Sequence, residues 1–387
     1  MAAPDMSLAD DVRLLHIGPH KTGTTTVQAT FHSARPLLLD HGVVYAGPDR
    51  QPMRAALAVT NRPELVGQRP PAIADWTALT EQVNAVTGRR VMISSEFFAD
   101  ADDAAARRVV EELGGPRVHV VVTLRPLARI LSSQWQQYVQ NGLRSRYESW
   151  LRSMFEKPPY REPTPTFWHR HRHDRLVERW ADAAGADNLT VVVADESDPL
   201  MLVRTFERLL ALPEGILVPE AELTNRSLTA GEVEFVRLLN EEFRARKWPE
   251  EVYQKLFRYG AVLRMKGEHE PGGDEPRITT PQWAVERAVA LNTEMVEKIE
   301  TLGVHVIGDV ASLTRAPSPR GPAGEQMMSP ESAMQAMVGA LLAAGALPDP
   351  ERPVRPEDLP VRETTARMLA RILAARVRRR VQRTLGR

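Results

Sequence analysis

Residues 12–26 read Val-Arg-Leu-Leu-His-Ile-Gly-Pro-His-Lys-Thr-Gly-Thr-Thr-Thr, and this stretch decides the fold. Val12 to Gly18 is a short apolar run of strand length. It breaks into a Gly/Thr turn and then into a helical pattern over Thr24 to Leu38. A strand, a Gly-containing turn and a Thr-rich helix start make an anion cradle. Backbone N–H groups converge there, the helix dipole adds partial positive charge, and threonine hydroxyls add donors. Lys21 places a full charge at the same point.

Outward from this loop the chain alternates strands and helices. Strand signals fall at Val43–Tyr45, Arg90–Ser94, Val118–Leu124, Leu189–Val193 and Val304–Ile307. Val118–Leu124 (VHVVVTL) is nearly continuous in β-branched residues, as a strand buried on both faces requires. Helical patterns lie at Ala104–Leu113, after Pro126, and at Asp174–Ala184, Met201–Leu210, Ala230–Arg246 and Pro281–Leu302. Such alternation predicts an α/β fold with a mostly parallel central sheet and helices on both faces. Ligands then bind at the carboxyl ends of the strands. From about Arg315 the run APSPRGPAG reads as a linker. The division expected is therefore a catalytic domain over 1–314 and, over 315–387, a linker with a helical C-terminal extension that includes a helix near Pro330–Ala344.

Composition narrows the classes. The 387 residues hold 50 Lys+Arg against 50 Asp+Glu, 43% hydrophobic residues and no cysteine. Cysteine chemistry of every kind is excluded: no disulfide, no thiolate metal site, no thiol nucleophile. A balanced charge argues against a surface built to grip nucleic acid. The balance hides an asymmetry, because Val361–Arg387 carries nine arginines and one acid, Glu363. Leu369, Leu373, Val377, Val381 and Leu385 recur there every four residues, the pattern of a basic amphipathic helix. Two occupants stay open for it: an anionic membrane surface or acidic partner, and the acidic body of the same chain. The acidic start, Met1–Asp11, does not read as an export signal, and the longest apolar run, Ala336–Leu347, is too short to span a bilayer. The expected location is cytoplasmic, with peripheral contact at the inner membrane face if the tail binds lipid.

The loop is first measured against the NTP-binding pattern GxxxxGK[ST]. Gly18 and Gly23 have its spacing, but Thr24 stands where that pattern needs lysine. No strand-terminal Asp suited to Mg²⁺ follows. The run Pro19-His20-Lys21-Thr22-Gly23-Thr24-Thr25 instead resembles the phosphosulfate loop of sulfotransferases that use 3′-phosphoadenosine 5′-phosphosulfate (PAPS), and is most similar to the Golgi-type glycan enzymes with their Lys-Thr-Gly-Thr-Thr. A second motif agrees. Arg125 ends the strongest strand and Ser133 follows eight residues later, which resembles the family's 3′-phosphate site; Arg129, one turn before Ser133, is placed to assist.

The resemblance covers about Val12 to Leu313 and implies a P-loop-like three-layer sandwich. It implies sulfuryl transfer from PAPS, without a metal, to a hydroxyl acceptor, a carbohydrate or glycosylated metabolite. Lys21, Thr22, Gly23, Thr24, Thr25, Arg125 and Ser133 would bind the donor, and Lys21 would also act on the leaving oxygen. Glu96, in Ser95-Glu96-Phe97-Phe98 after the strand Arg90–Ser94, is the expected base if that strand neighbours the first; His20 is its rival. The alternative function is a P-loop kinase or NTPase, and a bare phosphate-binding module is a third. The family's late Arg-Lys-Gly triplet is matched here only by Arg264-Met265-Lys266-Gly267, with one residue inserted, so that contact stays unassigned. Asn225-Arg226-Ser227-Leu228 is similar to a segment of bacterial members and carries no assigned chemistry. Trp168-His169-Arg170-His171-Arg172-His173 reads as a basic face at the mouth of the site rather than a metal centre.

Overall fold

The computed structural model describes residues 6–64, 69–157, 160–219, 226–273, 275–316 and 327–347. Within them the chain forms two compact units, one of residues up to Glu242 together with Pro271–Met327, the other of Phe243–Glu270 together with residues from Met328 onward. A stretch from mid-chain is thus grouped with the C-terminal segment. The arginine-rich stretch over 361–387 lies outside the described residues.

The first unit is an α/β sandwich around six strands: β1 Arg13–Gly18, β2 Val43–Tyr45, β3 Arg90–Ser94, β4 Val118–Leu124, β5 Leu189–Val193 and β6 His305–Ile307. Their order is β2-β3-β1-β4-β5-β6, and every pairing is parallel. Parallel strands need crossovers, and the helices that supply them cover both faces. Neighbouring residues accordingly point into different cores. Leu15, Ile93, Val120 and Val191 join one, packed by the helices Met53–Val59, Ile73–Asn84, Asp103–Leu113 and His173–Ala184. Leu14, Met92, Val121 and Val192 join the other, with Val27, Phe31, Val203 and Phe206 from the helices Thr24–Ser33 and Met201–Leu209. All seven residues of β4 are buried, as its composition predicts.

Where the helices differ from expectation, the cause is local. The pattern over Thr24–Leu38 is two helices, Thr24–Ser33 and Arg35–Asp40. Pro36 lacks the N–H that a continuous helix would need and is accommodated instead in the first turn of a new one. Met53–Val59 and Ile73–Asn84 start at Pro52 and Ala72 with no side-chain cap, so the Ser, Thr, Asp or Asn that marks a capped start is missing there.

The second unit has its own core. Phe243 meets the rings of Trp248, Tyr253 and Phe257 at 4.8, 5.4 and 5.2 Å between centroids. Gln254–Val262 is wound as π-helix and Leu263–Glu268 continues it. The helix Pro330–Ala344 crosses this segment where Gly260 faces Gly339; a Cβ on Gly339 would stand 2.5 Å from the Gly260 carbonyl oxygen. Only glycine allows so close an approach. Arg264 donates from Nε to Gln335 at 2.9 Å in this unit, which gives the Arg264–Gly267 run a packing role here. No helix among the described residues is long and apolar enough to cross a membrane.

Candidate active site

The order β2-β3-β1-β4-β5-β6 places β1 between strands whose crossovers lead to opposite sides of the sheet. A crevice opens at such a point above the carboxyl ends. The loop after β1, residues 18–24, lines it. Gly18 turns with φ +80, and a Cβ there would stand 3.0 Å from Glu96 Cβ and 3.1 Å from Thr24 Cγ2. Lys21 takes φ +68, a left-handed conformation that costs a non-glycine residue about 1–2 kcal/mol. Gly23, at φ +100, precedes the helix Thr24–Ser33. The first intrahelical bond runs from Val27 N–H to Gly23 O, 3.3 Å, so the N–H groups of Thr24, Thr25 and Thr26 have no acceptor within the helix and point toward the crevice.

What holds this loop is a buried hydroxyl network that the sequence does not announce. Thr123 of β4 contacts Thr22 Oγ1 at 2.7 Å and His16 Nε2 at 3.2 Å, and donates to Gly18 O at 3.3 Å. Thr22 donates to Pro19 O at 2.6 Å and is fully buried. Its hydroxyl is thus turned into the loop and away from the crevice. His16 Nδ1 lies 2.8 Å from Ser94 Oγ, so one imidazole ties β1 to both neighbours. Burial pushes the pKa of His16 down to about 3, which keeps the ring neutral beneath an anion cradle.

Glu96, Lys21 and Arg125 come from adjacent strands and meet around this loop. β1 pairs with β3, His16 opposite Ser94, so Glu96 emerges beside Gly18 as the sequence predicts. Gln28, on the helix after the loop, donates from Nε2 to Glu96 Oε2 at 2.8 Å. Lys21 Nζ donates to Gln137 Oε1 at 3.2 Å. Arg125 donates from Nη1 to the Lys21 carbonyl at 3.3 Å, and its other end pairs with Glu196, on the loop after β5. Arg129 Nε stands 3.4 Å from the second oxygen of the same carboxylate.

The helix Leu127–Gln140 sets several of these positions at once. Arg129, Ser133 and Gln137 recur every four residues and so share one face. The first reaches Glu196 and the last reaches Lys21, which places Ser133 on the stripe turned to the crevice. Its hydroxyl donates to Ile130 O at 3.0 Å. Gln136, on the same helix, accepts from Leu228 N–H at 3.0 Å. Arg226 forms a bidentate pair at 2.8 Å with Glu232, whose side chain is fully buried. The segment Arg226–Leu228 therefore anchors structure, and Asn225 lies outside the described residues.

The Trp168–His173 run is not a basic face. Arg170 grips Asp100 with two bonds of 2.6 Å, and Asp100 is only 1% exposed. Burial works against its charge, yet Asp100 holds the Arg170 guanidinium above its ordinary pKa. Arg172 pairs with Asp174 at 2.7 Å, and His169 Nε2 lies 3.1 Å from Ala101 O. His171 and His173 are in the core. A partner seventy residues earlier explains the burial of Arg170, and no local pattern reveals it. His20 packs edge-on against Phe97, 5.1 Å between ring centroids, and its Nε2 is buried without a hydrogen-bond partner. Burial, with help from Arg170, His171 and Lys21, pushes its pKa well below the usual histidine value. Among the described residues no group of three or more His, Asp or Glu side chains could hold a metal ion.

Chemically, the crevice offers a lysine, backbone donors at a helix start and two arginines on one side, and a carboxylate held by one amide on the other. No protein-family model matches the chain, and no curated protein matches it. Among solved structures it is similar to a sulfotransferase from Alicyclobacillus acidocaldarius, with 14% identity and a TM-score of 0.47 over 80% of this chain and 100% of that one.

Proposed function

We propose that the protein is a sulfotransferase that moves a sulfuryl group from PAPS to the hydroxyl of an acceptor, a carbohydrate or glycosylated metabolite. The observation that carries this reading is the convergence of Lys21, Arg125 and Glu96 at the carboxyl ends of β1, β4 and β3, with Arg125 bonded to the Lys21 carbonyl. Two cationic positions side by side fit a donor with phosphate at both its 5′ and 3′ positions.

In the transfer the acceptor oxygen bonds to sulfur as the bond from sulfur to the 5′-phosphate oxygen breaks. Glu96 receives the acceptor's proton. Lys21 and the N–H groups of Thr24 and Thr25 meet the charge that develops on the departing oxygen, and Gly23 lets the backbone turn toward it. Arg125 and Ser133 hold the 3′-phosphate, which orients the donor for in-line displacement.

The direct test is binding. Titration calorimetry should find adenosine 3′,5′-bisphosphate binding far more tightly than ATP, without Mg²⁺. Tight Mg²⁺–ATP binding with none for the bisphosphate would turn the reading to a kinase or NTPase. A second measurement assigns the 3′-phosphate. Arg125→Ala should weaken bisphosphate binding by about 1.5–3 kcal/mol, the scale of a charged hydrogen bond. For adenosine 5′-monophosphate the loss should shrink sharply, and equal losses for both would show that Arg125 supports the loop instead.

A further inference from the structure

Arg125 and Arg129 already close on an anion that belongs to the chain. Arg125 Nη2 donates to one oxygen of Glu196, and Arg129 Nε stands 3.4 Å from the other. Glu196 is carried on the loop after β5, and that loop is braced on both sides. Asp195 accepts from the Ser197 N–H at 2.8 Å and from the Ser197 hydroxyl at 2.7 Å. Asp198 accepts from the Leu200 N–H at 3.1 Å and from Arg204 Nη1 at 3.0 Å. The carboxylate is thus held where an anion from outside would have to sit.

We propose that Glu196 competes with the 3′-phosphate of the nucleotide for Arg125 and Arg129, and so sets the affinity for donor and product alike. The inference rests on the donor assigned above. Two guanidinium groups converging on one carboxylate define an anion subsite wide enough for two oxygens, and a phosphate supplies three with greater charge. The pair is also easy to displace. All three side chains are between a fifth and a third exposed, and ion pairs that face water contribute little.

The 3′-phosphate is a spectator of the transfer. It carries the same charge in donor, transition state and product, so a group that competes with it weakens all three equally. Glu196 then eases release of the bisphosphate product to the same extent that it lowers donor affinity. Arg129 gains a definite part in this account, as the second ligand of the subsite.

The test is Glu196→Gln, with adenosine 3′,5′-bisphosphate, adenosine 5′-monophosphate and inorganic phosphate as probes in calorimetry on the full chain. The variant should bind the bisphosphate about threefold to fivefold more tightly, the scale of one water-facing ion pair, and the monophosphate no differently. Inorganic phosphate should also bind more tightly. Arg129→Ala should cost more bisphosphate affinity in the Glu196→Gln protein than in the wild type, because there Glu196 no longer competes for the arginine. Unchanged bisphosphate binding in Glu196→Gln overturns the proposal, as does weaker binding of both nucleotides, which would make Glu196 a nucleoside ligand. If neither protein binds the bisphosphate while the variant still gains for inorganic phosphate, the competition stands and the PAPS reading fails.

Discussion

Glu96→Gln is expected to lower turnover by about 10²–10⁴-fold, the range that a positioned general base contributes, while affinity for adenosine 3′,5′-bisphosphate stays near the wild-type value. The substitution isolates the proton. Gln28 donates to Glu96 Oε2 at 2.8 Å, and the glutamine carbonyl can accept the same bond. The side chain should therefore stay where it is, with Cβ packed against Gly18, and lose only its ability to take a proton. The lysine, the helix start and the arginines are untouched, which is why donor binding should persist. Single-turnover kinetics beside calorimetry separates the two quantities. Near-wild-type turnover would remove Glu96 from the chemistry and move the base to His20. That ring has a buried Nε2 with no hydrogen-bond partner; burial holds it neutral with a pKa well below the usual value, which makes it a weaker base than an ordinary histidine.

Asp100→Ala should destabilise the fold by about 3–5 kcal/mol, because it leaves the Arg170 guanidinium buried without its counter-charge. The side chains are 12% and 1% exposed and joined by two bonds of 2.6 Å, so the pair belongs to the interior rather than the surface. The cost lies in the orphaned charge more than in the lost attraction. Replacing both members at once, as Asp100→Leu with Arg170→Met, should therefore recover most of the stability. Denaturant unfolding reads both results as a shift in midpoint at constant slope. A single substitution costing under about 1 kcal/mol would place the pair among water-facing ion pairs.

The first fifteen or so residues of the fold show how much can be read without a structure. A strand, a glycine turn and a helix start are contiguous, and the geometry that makes them a cradle depends only on local dihedrals and the orphan N–H groups of a helix. The strand Val118–Leu124 is equally plain, since a run of β-branched residues has few alternatives. Glu96 is singled out by the family resemblance, on the condition that Arg90–Ser94 neighbours the first strand, and the pairing of His16 with Ser94 meets that condition. Its role is a separate matter, for the kinetics above. The Trp168–His173 run shows the opposite. Its arginines and histidines look like surface, yet Arg170 is drawn inside by Asp100, a partner no window of sequence contains.

By itself the sequence determined the class of fold, the strand–turn–helix loop after the first strand and the six described strands, because periodicity and turn chemistry act over a few residues. Only the tertiary structure decided the order β2-β3-β1-β4-β5-β6, which brings residues about one hundred positions apart to one crevice. It also decided which hydroxyls face inward. The Thr22 hydroxyl meets Thr123 of β4 in the loop's interior, a contact no local pattern announces. Glu196, one of three acids on the loop after β5, became visible as the partner of Arg125 and Arg129 only once β5 lay beside β4. The reason is physical: a charged side chain is defined by what it faces, and in a parallel sheet the facing group arrives from a distant crossover.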